Sequence, residues 1–571
     1  MRKTKIVCTL GPATDDEVVL EALMHAGMDT ARLNFSHGSH EEHLNRIEKV
    51  RKAAKASGRT VAVMLDTKGP EIRIRQFSCG SISLFAGDSF RLWCTEHEGD
   101  ETGVSVTYPT LNEKVKPGDI ILADDGLITL RVTATDDESV MTTVENGGPL
   151  SNNKSLNLPG VFIPMPALTN KDKSDLLFGI ENDIDFIAAS FIRSASDVNE
   201  IRSFLRENDA SRIMIISKIE NRQGVENIEE IIAASDGVMV ARGDLGVEIP
   251  PEEVPLIQKR VIKKCNEAGK PVIIATQMLD SMIRNPRPTR AEATDVANAV
   301  LDGADAVMLS GETAAGKYPV EAVETMARIA MTAEREYARS VPEIYGEETI
   351  TNIVSFTSCS AANRLGCRAI MAPTESGYTP RMVSKYRPVA MIIAGTPHEW
   401  VERQLCLTRG VIPMHQDELG DFDATVNETI VYAVKKGYIE VGDSVVVTSD
   451  LPAGQKGNTN TMRIERVSDF ILSGKALGTG NVRGRVVRLA GGKSIEKGSI
   501  VITDMVNETL IRNADKVAGI ISTDKDISDS CVTFAQQHGI TILSRVTDTK
   551  MLADGDTAEI DPFRHFAYKV M

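Results

Sequence analysis

A few polar residues, each at the end of an apolar run, carry the chemistry open to this sequence. Alternate residues of an extended segment face one side, so TARLNFSHG presents Arg32, Asn34 and Ser36 together. The same spacing pairs Lys218 with Glu220 in ISKIEN and Arg242 with Asp244 in VARGDLG. Asp66 and Thr67 close the run VMLDT, and Thr276 closes IIAT. Any one of these, alone, reads as a solvated rim residue or an ordinary ion pair. Converging at one place, Arg32, Lys218, Glu220 and Asp244 would be costly to bury without ligands. A divalent cation and a phosphate resolve that cost. Glu220 and Asp244 offer hard oxygens suited to Mg²⁺. Lys218 and Arg32 offer fixed positive charge to a phosphoryl group in transfer. The small-residue stretch Ala241–Gly243 can turn backbone N–H groups toward a carboxylate. Asn34, Ser36, Asp66 and Thr67 bear oxygens that could hold a larger monovalent cation.

The elements that must position these residues repeat with one rhythm. Eight short apolar or β-branched runs alternate with amphipathic helical stretches: TKIVCTL, TARLNFS, TVAVMLDT, IDFIAASF, RIMIISKIE, DGVMVARGD, KPVIIATQM and DAVMLSGE. Eight strand–helix units close a (β/α)₈ TIM barrel, whose active site gathers at the carboxyl ends of its strands. The rhythm breaks once, between Asp66 and about Ala167, where short β-type runs and turns predict a small inserted β-barrel domain at the face where barrel active sites lie. It resets near Ile350 into a further α/β domain, and the last hundred or so residues read as a small β-rich α/β unit. The expected domains are a catalytic barrel at 1–69 and 167–345, an inserted β domain at 70–166, an α/β domain at 346–473 and an extra domain at 474–571.

Composition narrows the class. The chain has 571 residues, enough for about three or four domains. Lys and Arg total 64 against 80 Asp and Glu, a net charge of −16, which disfavours a sequence-independent nucleic-acid binder. Anionic small substrates stay open, since a local basic cluster can dominate its own cleft. The eight cysteines show no C-x-x-C spacing, and no apolar stretch is long enough to span a membrane. A cytoplasmic protein is the expectation.

Long ordered segments resemble the pyruvate kinase family over nearly all of residues 1–472: TKIVCTLGPAT, RLNFSHG, LDTKGPEIR, SKIENRQGV, VARGDLGVEIP, ATQMLDSM, RPTRAEATDVANAVLDGADAVMLSGETAAGKYP and SKYRP. The resemblance implies phosphoryl transfer from phosphoenolpyruvate to ADP, giving pyruvate and ATP. It implies that Arg32 contacts the substrate phosphate and Lys218 stabilises the phosphoryl group. Ala241, Arg242, Gly243, Asp244 and Thr276 would line the substrate, with Thr276 near the enolate face. Glu220 and Asp244 would hold Mg²⁺, or Mn²⁺ in its place. Asn34, Ser36, Asp66 and Thr67 would hold K⁺, and Asn34, His37, Arg73 and Lys154 would face the nucleotide. Glu71 matches the K⁺-dependent form of the family. The inserted β domain would be a lid that excludes water, and the assembly a homotetramer.

In PTESGYTPRMVSKYRP, Thr374, Ser376, Gly377 and Thr379 form a hydroxyl-rich turn that locally reads as an ordinary strand–helix junction. The resemblance makes it the site of a phosphorylated activator. Residues after about Lys475 resemble the phosphohistidine domain of phosphoenolpyruvate-using enzymes. There Ser530, in Ile527-Ser528-Asp529-Ser530-Cys531, stands where the phosphoryl-carrying His belongs. Ser cannot replace imidazole as a carrier at neutral pH, so this domain is expected to carry no phosphate. Gly478-x-Gly480-x-x-x-Gly484 and Gly492-Lys493-Ser494 miss the dinucleotide and P-loop patterns. A metal-enolate lyase or aldolase on a similar barrel, and a non-catalytic sugar-phosphate sensor, are the competing readings.

Overall fold

Eight apolar runs between Lys5 and Leu309 build the strands of one closed sheet. In the computed structural model these are β1 (Lys5–Thr9), β2 (Thr30–Asn34), β3 (Ala62–Asp66), β4 (Phe186–Ala189), β5 (Met214–Ile219), β6 (Gly237–Ala241), β7 (Val272–Ala275) and β8 (Ala306–Leu309). Each pairs in parallel with the next, and β8 returns to β1, with Ile6 opposite Val307. The structure describes residues 1–337, 347–416, 422–450, 459–467, 470–478, 480–489, 495–507, 510, 515–546, 549–563 and 565–570. The expected boundary at 345/346 and the Gly492-Lys493-Ser494 stretch lie outside them.

Period-two alternation sorts the strand residues into two cores. Ile187, Ile215, Val238, Ile274 and Val307 face outward and pack beneath the helices. Val7, Met64, Phe186, Ile216, Met239, Ile273 and Met308 fill the interior. Covered on both faces, the strands are buried almost throughout, as a parallel sheet requires.

Helices follow from their caps as much as from periodicity. The helix α1 (His40–Ser57) opens with a Ser39–Glu42 capping box and ends at Gly58, whose φ of 62° suits glycine. The helix α2 (Asn170–Glu181), between lid and β4, escapes a periodicity reading because Lys171, Asp172, Lys173 and Asp175 crowd its first turns; its Thr169–Asp172 capping box is the signal. The stretch VENIEEIIAAS is not one helix. It belongs to two, Arg222–Glu226 and Ile228–Ala234, divided at Asn227, whose amide donates to the Arg193 carbonyl at 2.8 Å.

Between β3 and α2 the insert forms a seven-stranded sheet and a two-stranded ladder around its own apolar core. Its edge strands, Ile72–Arg73 and Gly103–Ser105, are joined through an Ile74–Val106 bridge and an Arg75 N–H to Ser105 carbonyl bond of 2.7 Å. That join closes the sheet on itself. One compact unit takes in Met1–Ser340 together with Cys406–Arg409. Cys406 and Leu407 belong to the apolar cluster of the barrel interior. Cys406 Sγ donates to the Thr60 carbonyl at 3.4 Å, and the Arg409 N–H to Asp305 Oδ1 at 3.3 Å. Thr60 and Asp305 precede β3 and β8, so this short stretch plugs the amino-terminal mouth.

The second unit, Val341–Leu405 with Gly410–Met571, holds two sheets. One has five strands, ordered Val411–His415, Met391–Thr396, Ala369–Met371, Ser444–Ser449 and Thr461–Arg466, parallel except for the last. The other has eight strands drawn from Phe470–Lys569.

Candidate active site

Along several strands the inward row ends in polar residues. β5 runs Met214, Ile216, Lys218 and then Glu220; β3 runs Ala62, Met64, Asp66; β2 runs Thr30, Arg32, Asn34. Beyond β4 the row Phe186, Ala188 continues to Ser190. The polar ends all lie at the carboxyl-terminal mouth, and β2 and β3 set Asn34 beside Asp66 in register.

Asp66 is the hub of that mouth. Its carboxylate accepts from Arg32 Nε at 2.7 Å through Oδ2 and from Lys218 Nζ at 3.0 Å through Oδ1. Arg32 also donates to Thr9 Oγ1 at 2.9 Å. Lys218 Nζ donates to Ser190 Oγ at 2.7 Å and pairs with Glu220 Oε1 at 2.9 Å. Burial opposes ionisation of Asp66, but the two cations outweigh it and hold the carboxyl below its usual range. Burial likewise opposes the charge on Lys218, and Asp66 and Glu220 overcome it, so the ammonium stays charged. Two buried cations, with aligned partners, therefore stand at the base of the cleft.

The acids beside them are less comfortable. Glu220 is pushed up to about 7, chiefly by burial, with Lys218 opposing the shift and Asp244 adding to it. Glu220 Oε2 accepts the Phe191 N–H at 2.6 Å. Asp244 is also raised, first by burial, then with contributions from Asp125 and Glu71, and its carboxyl lies within hydrogen-bonding reach of Glu220. Two neighbouring carboxyls, both raised by burial, fit a divalent ion. Among the described residues, no group of three or more His, Cys, Asp or Glu side chains is placed to hold a metal ion by itself. Such an ion would take its remaining ligands from substrate and water, as Mg²⁺ does.

The pairing of Arg242 with Asp244 on one strand face does not hold. β6 stops at Ala241, and Arg242–Glu248 is a short helix, α3, so the two side chains diverge. Arg242 turns to Asp295 at 2.7 Å and to the Thr276 carbonyl at 2.8 Å, bracing the segment after β7. Thr276 sits at a φ of 69°, and its Oγ1 accepts the Gly243 N–H at 2.7 Å. The backbone at the start of α3 is thus tied to Thr276, beside Asp244. Ala241 is buried at the strand end.

Ser36 and His37 lie beyond β2, in the turn before α1, where the Ser36 N–H donates to Asn34 Oδ1 at 3.1 Å. The Thr67 carbonyl accepts from Ser190 Oγ at 2.7 Å. Arg73 and Lys154 belong to the lid. Arg73 pairs with Glu71 at 2.7 Å, and Lys154 with Asp124 at 2.8 Å. The lid turn bearing Asp124 and Asp125 comes down on α3: a Cβ built on Gly126 would lie 3.5 Å from Val247. Ser190, Thr9 and Asp125 are site neighbours that the sequence reading misses. The inward rows of β4 and β1 mark the first two; only the D-D-G turn hints at the third. A cavity of about 370 Å³ opens beside this mouth, lined by Pro70, Glu71, Leu158, Phe162, Asn221 and Glu248 among others. Arg32, Lys218, Glu220 and Asp244 are not in its walls.

In the second unit, Thr374 follows the strand Ala369–Met371, and its Oγ1 accepts the Gly377 N–H at 3.0 Å. Gly377, at φ 74°, caps the helix Tyr378–Ser384. Thr379 Oγ1 lies 2.9 Å from Thr459 Oγ1, and the Ser376 carbonyl accepts from Arg381 at 3.3 Å. Ser530 starts the exposed face of the helix Asp529–Gln537, 3.0 Å from Ser528. His538 ends that helix, stacked on Phe534.

Comparison with known proteins agrees with this geometry. Residues 1–323 match the family of the pyruvate kinase barrel domain, and residues 352–465 that of the pyruvate kinase alpha/beta domain. A pyruvate kinase of Geobacillus stearothermophilus is 49% identical, over 98% of this chain and 97% of its own. One of Sporosarcina psychrophila is 47% identical, over 98% of each. The crystal structure of a pyruvate kinase from Cryptosporidium parvum superposes with a TM-score of 0.76 at 40% identity, covering 82% of this chain and 96% of that one.

Proposed function

This chain belongs to the pyruvate kinase family, and on that premise we propose how its own residues divide the work of phosphoryl transfer. It is a phosphotransferase: phosphoenolpyruvate and ADP are its substrates, pyruvate and ATP its products, and the family is generally metal-dependent. The bond from the enolate oxygen to phosphorus breaks as the β-phosphate of ADP takes the phosphoryl group. Arg32 and Lys218 face the equatorial oxygens of that group, where the transition-state charge gathers. Asp66 and Ser190 keep both cations in place before substrate arrives, so little reorganisation remains for the reaction itself. Glu220 and Asp244 would hold Mg²⁺ or Mn²⁺, which would supply positive charge against the negative charge that develops in the transfer. Asn34, Ser36, Asp66 and the Thr67 carbonyl hold K⁺.

Thr276 lies on the face where the enolate carbon gains its proton, and the backbone of Ala241–Gly243, with Arg242 braced behind it, receives the carboxylate. Asn34, His37, Arg73 and Lys154 serve the nucleotide, the last two from the lid. The turn of Thr374, Ser376, Gly377 and Thr379 takes the phosphate of an allosteric effector. We propose a catalytic barrel at 1–69 and 167–345, a lid at 70–166, an α/β domain at 346–473 and an extra domain at 474–571 that carries no phosphate, in a cytoplasmic homotetramer. Among the described residues no helix is long and apolar enough to cross a membrane.

The observation that carries this reading is the hydrogen-bonded group of Arg32, Asp66, Ser190 and Lys218 beside the two raised acids. Pyruvate formation dependent on ADP, titrated with Mg²⁺, K⁺ and a panel of sugar phosphates and AMP, tests it. Pyruvate release from phosphoenolpyruvate without ADP would favour the lyase instead. Full activity with Mg²⁺ and no monovalent cation would overturn the K⁺ assignment.

A further inference from the structure

Phe35 sits between Asn34 and Ser36, and no step of the transfer chemistry uses it. It is nevertheless fixed on every side. Its N–H donates to the Asp66 carbonyl at 3.0 Å, and its carbonyl accepts from Lys171 Nζ at 2.8 Å. Its ring stacks on His43 at 4.0 Å and meets Phe178 at 5.7 Å. Lys171 comes from α2, far along the chain, and is itself held by Asp175 Oδ2 at 2.6 Å. The other oxygen of Asp175 takes His40 Nε2 at 2.7 Å. The Asp175 side chain is 2% exposed, so a buried carboxylate faces one cation and one imidazole and nothing else of opposite sign is needed to hold it. The His40 ring stacks on Phe178 at 4.6 Å. His43, one turn on in α1, donates from Nε2 to the His37 carbonyl at 2.9 Å.

We propose that Lys171, Asp175 and His40 form a clamp that positions the loop Asn34–His37 for monovalent cation and nucleotide. The clamp acts on one peptide plane. Lys171 turns the Phe35 carbonyl toward α2, and the same peptide group then aims the Ser36 N–H at Asn34 Oδ1. Loss of the clamp frees the 35–36 peptide to rotate and scatters the oxygens of Asn34 and Ser36, while Asp66, Arg32 and Lys218 keep one another in place. Charge-assisted bonds to a buried carboxylate are strong enough to impose such an orientation. The three are positioning residues: none touches the reacting atoms. The inference rests on the reading of Asn34, Ser36 and His37 given above.

The test is steady-state kinetics of Asp175→Asn, Lys171→Met and Lys171→Arg in the full-length protein. The Asn and Met variants are expected to raise the half-saturating K⁺ and the KM for ADP about tenfold. The KM for phosphoenolpyruvate stays within about twofold, and kcat at saturating K⁺ and ADP within about threefold. Lys171→Arg, which keeps the charge, restores most of the K⁺ response. Lys171 is half exposed, so its variants keep the test alive if Asp175→Asn fails to fold. A lower Tm with unchanged K⁺ and ADP parameters, or equal losses for both substrates, would overturn the clamp. If the parent enzyme shows no K⁺ activation, the cation assignment fails on its own, and the KM for ADP alone decides the clamp.

Discussion

At the scale of single residues, the cleft is a set of charges that need one another. Removing one partner of a buried pair costs about 3–5 kcal/mol when the other charge is left bare. Lys218→Met escapes that penalty, because Asp66 keeps Arg32 and Glu220, already raised to about 7, can take a proton. The variant should therefore fold, bind the divalent metal, and lose turnover by about 10²–10³. Calorimetric metal titration beside steady-state rates checks both halves; unchanged turnover would remove Lys218 from the chemistry. His43 makes a prediction in pH. It is 3% exposed, Nε2 donates to the His37 carbonyl, and Nδ1 is buried with no hydrogen-bond partner. Burial, aided by Arg46 and opposed by the His37 hydrogen bond, Asp175 and Glu42, holds its pKa below the ordinary value. The unfolded chain then binds the proton better than the native one. His43 contributes its stability above about pH 6.5, and that stability is lost as pH falls through the folded value. Tm measured from pH 7.5 down to 5 should fall less steeply in His43→Gln than in the parent; parallel profiles would contradict the burial account.

Elements decide which residues can meet, and here the limits of periodicity show. All eight barrel strands are legible because apolar runs of four to six residues between helical stretches admit few other readings. Alternation then gives the inward face of Lys218 and Asp66. It misleads at Arg242 and Asp244, since nothing in VARGDLG announces that the strand becomes a helix after Ala241. It is silent on Lys171 and Asp175, which lie on a polar helix whose interest comes only from what it touches across the chain. Tertiary proximity of this kind leaves no local trace. Gly69, between β3 and the lid, is a further case. Its φ is 71°, its N–H donates to Asp172 at 3.0 Å, and a Cβ there would stand 2.8 Å from that of Ser190. Gly69→Ala should cost about 1–2 kcal/mol for the left-handed backbone alone. It should also lower kcat by pushing Ser190 off Lys218. Chemical denaturation and kinetics measure the two effects; a neutral variant would show that the segment has room to shift.

For the molecule as a whole, every residue assigned to phosphoryl transfer lies within the first unit, and that assignment predicts that the last hundred residues stand outside the chemistry. Deleting 474–571 should leave the KM for both substrates within about threefold of the parent if the remainder folds. Abolished turnover in a truncated protein with native circular dichroism would give that region a catalytic part. The plug at Cys406–Arg409 bears on how the chain is made. The barrel's interior includes Leu407, which leaves the ribosome long after β8. During synthesis the nascent cylinder must wait, with its floor open, while nearly a hundred more residues are translated, so its final cooperative locking belongs to a late moment of elongation and not to the emergence of its eighth strand.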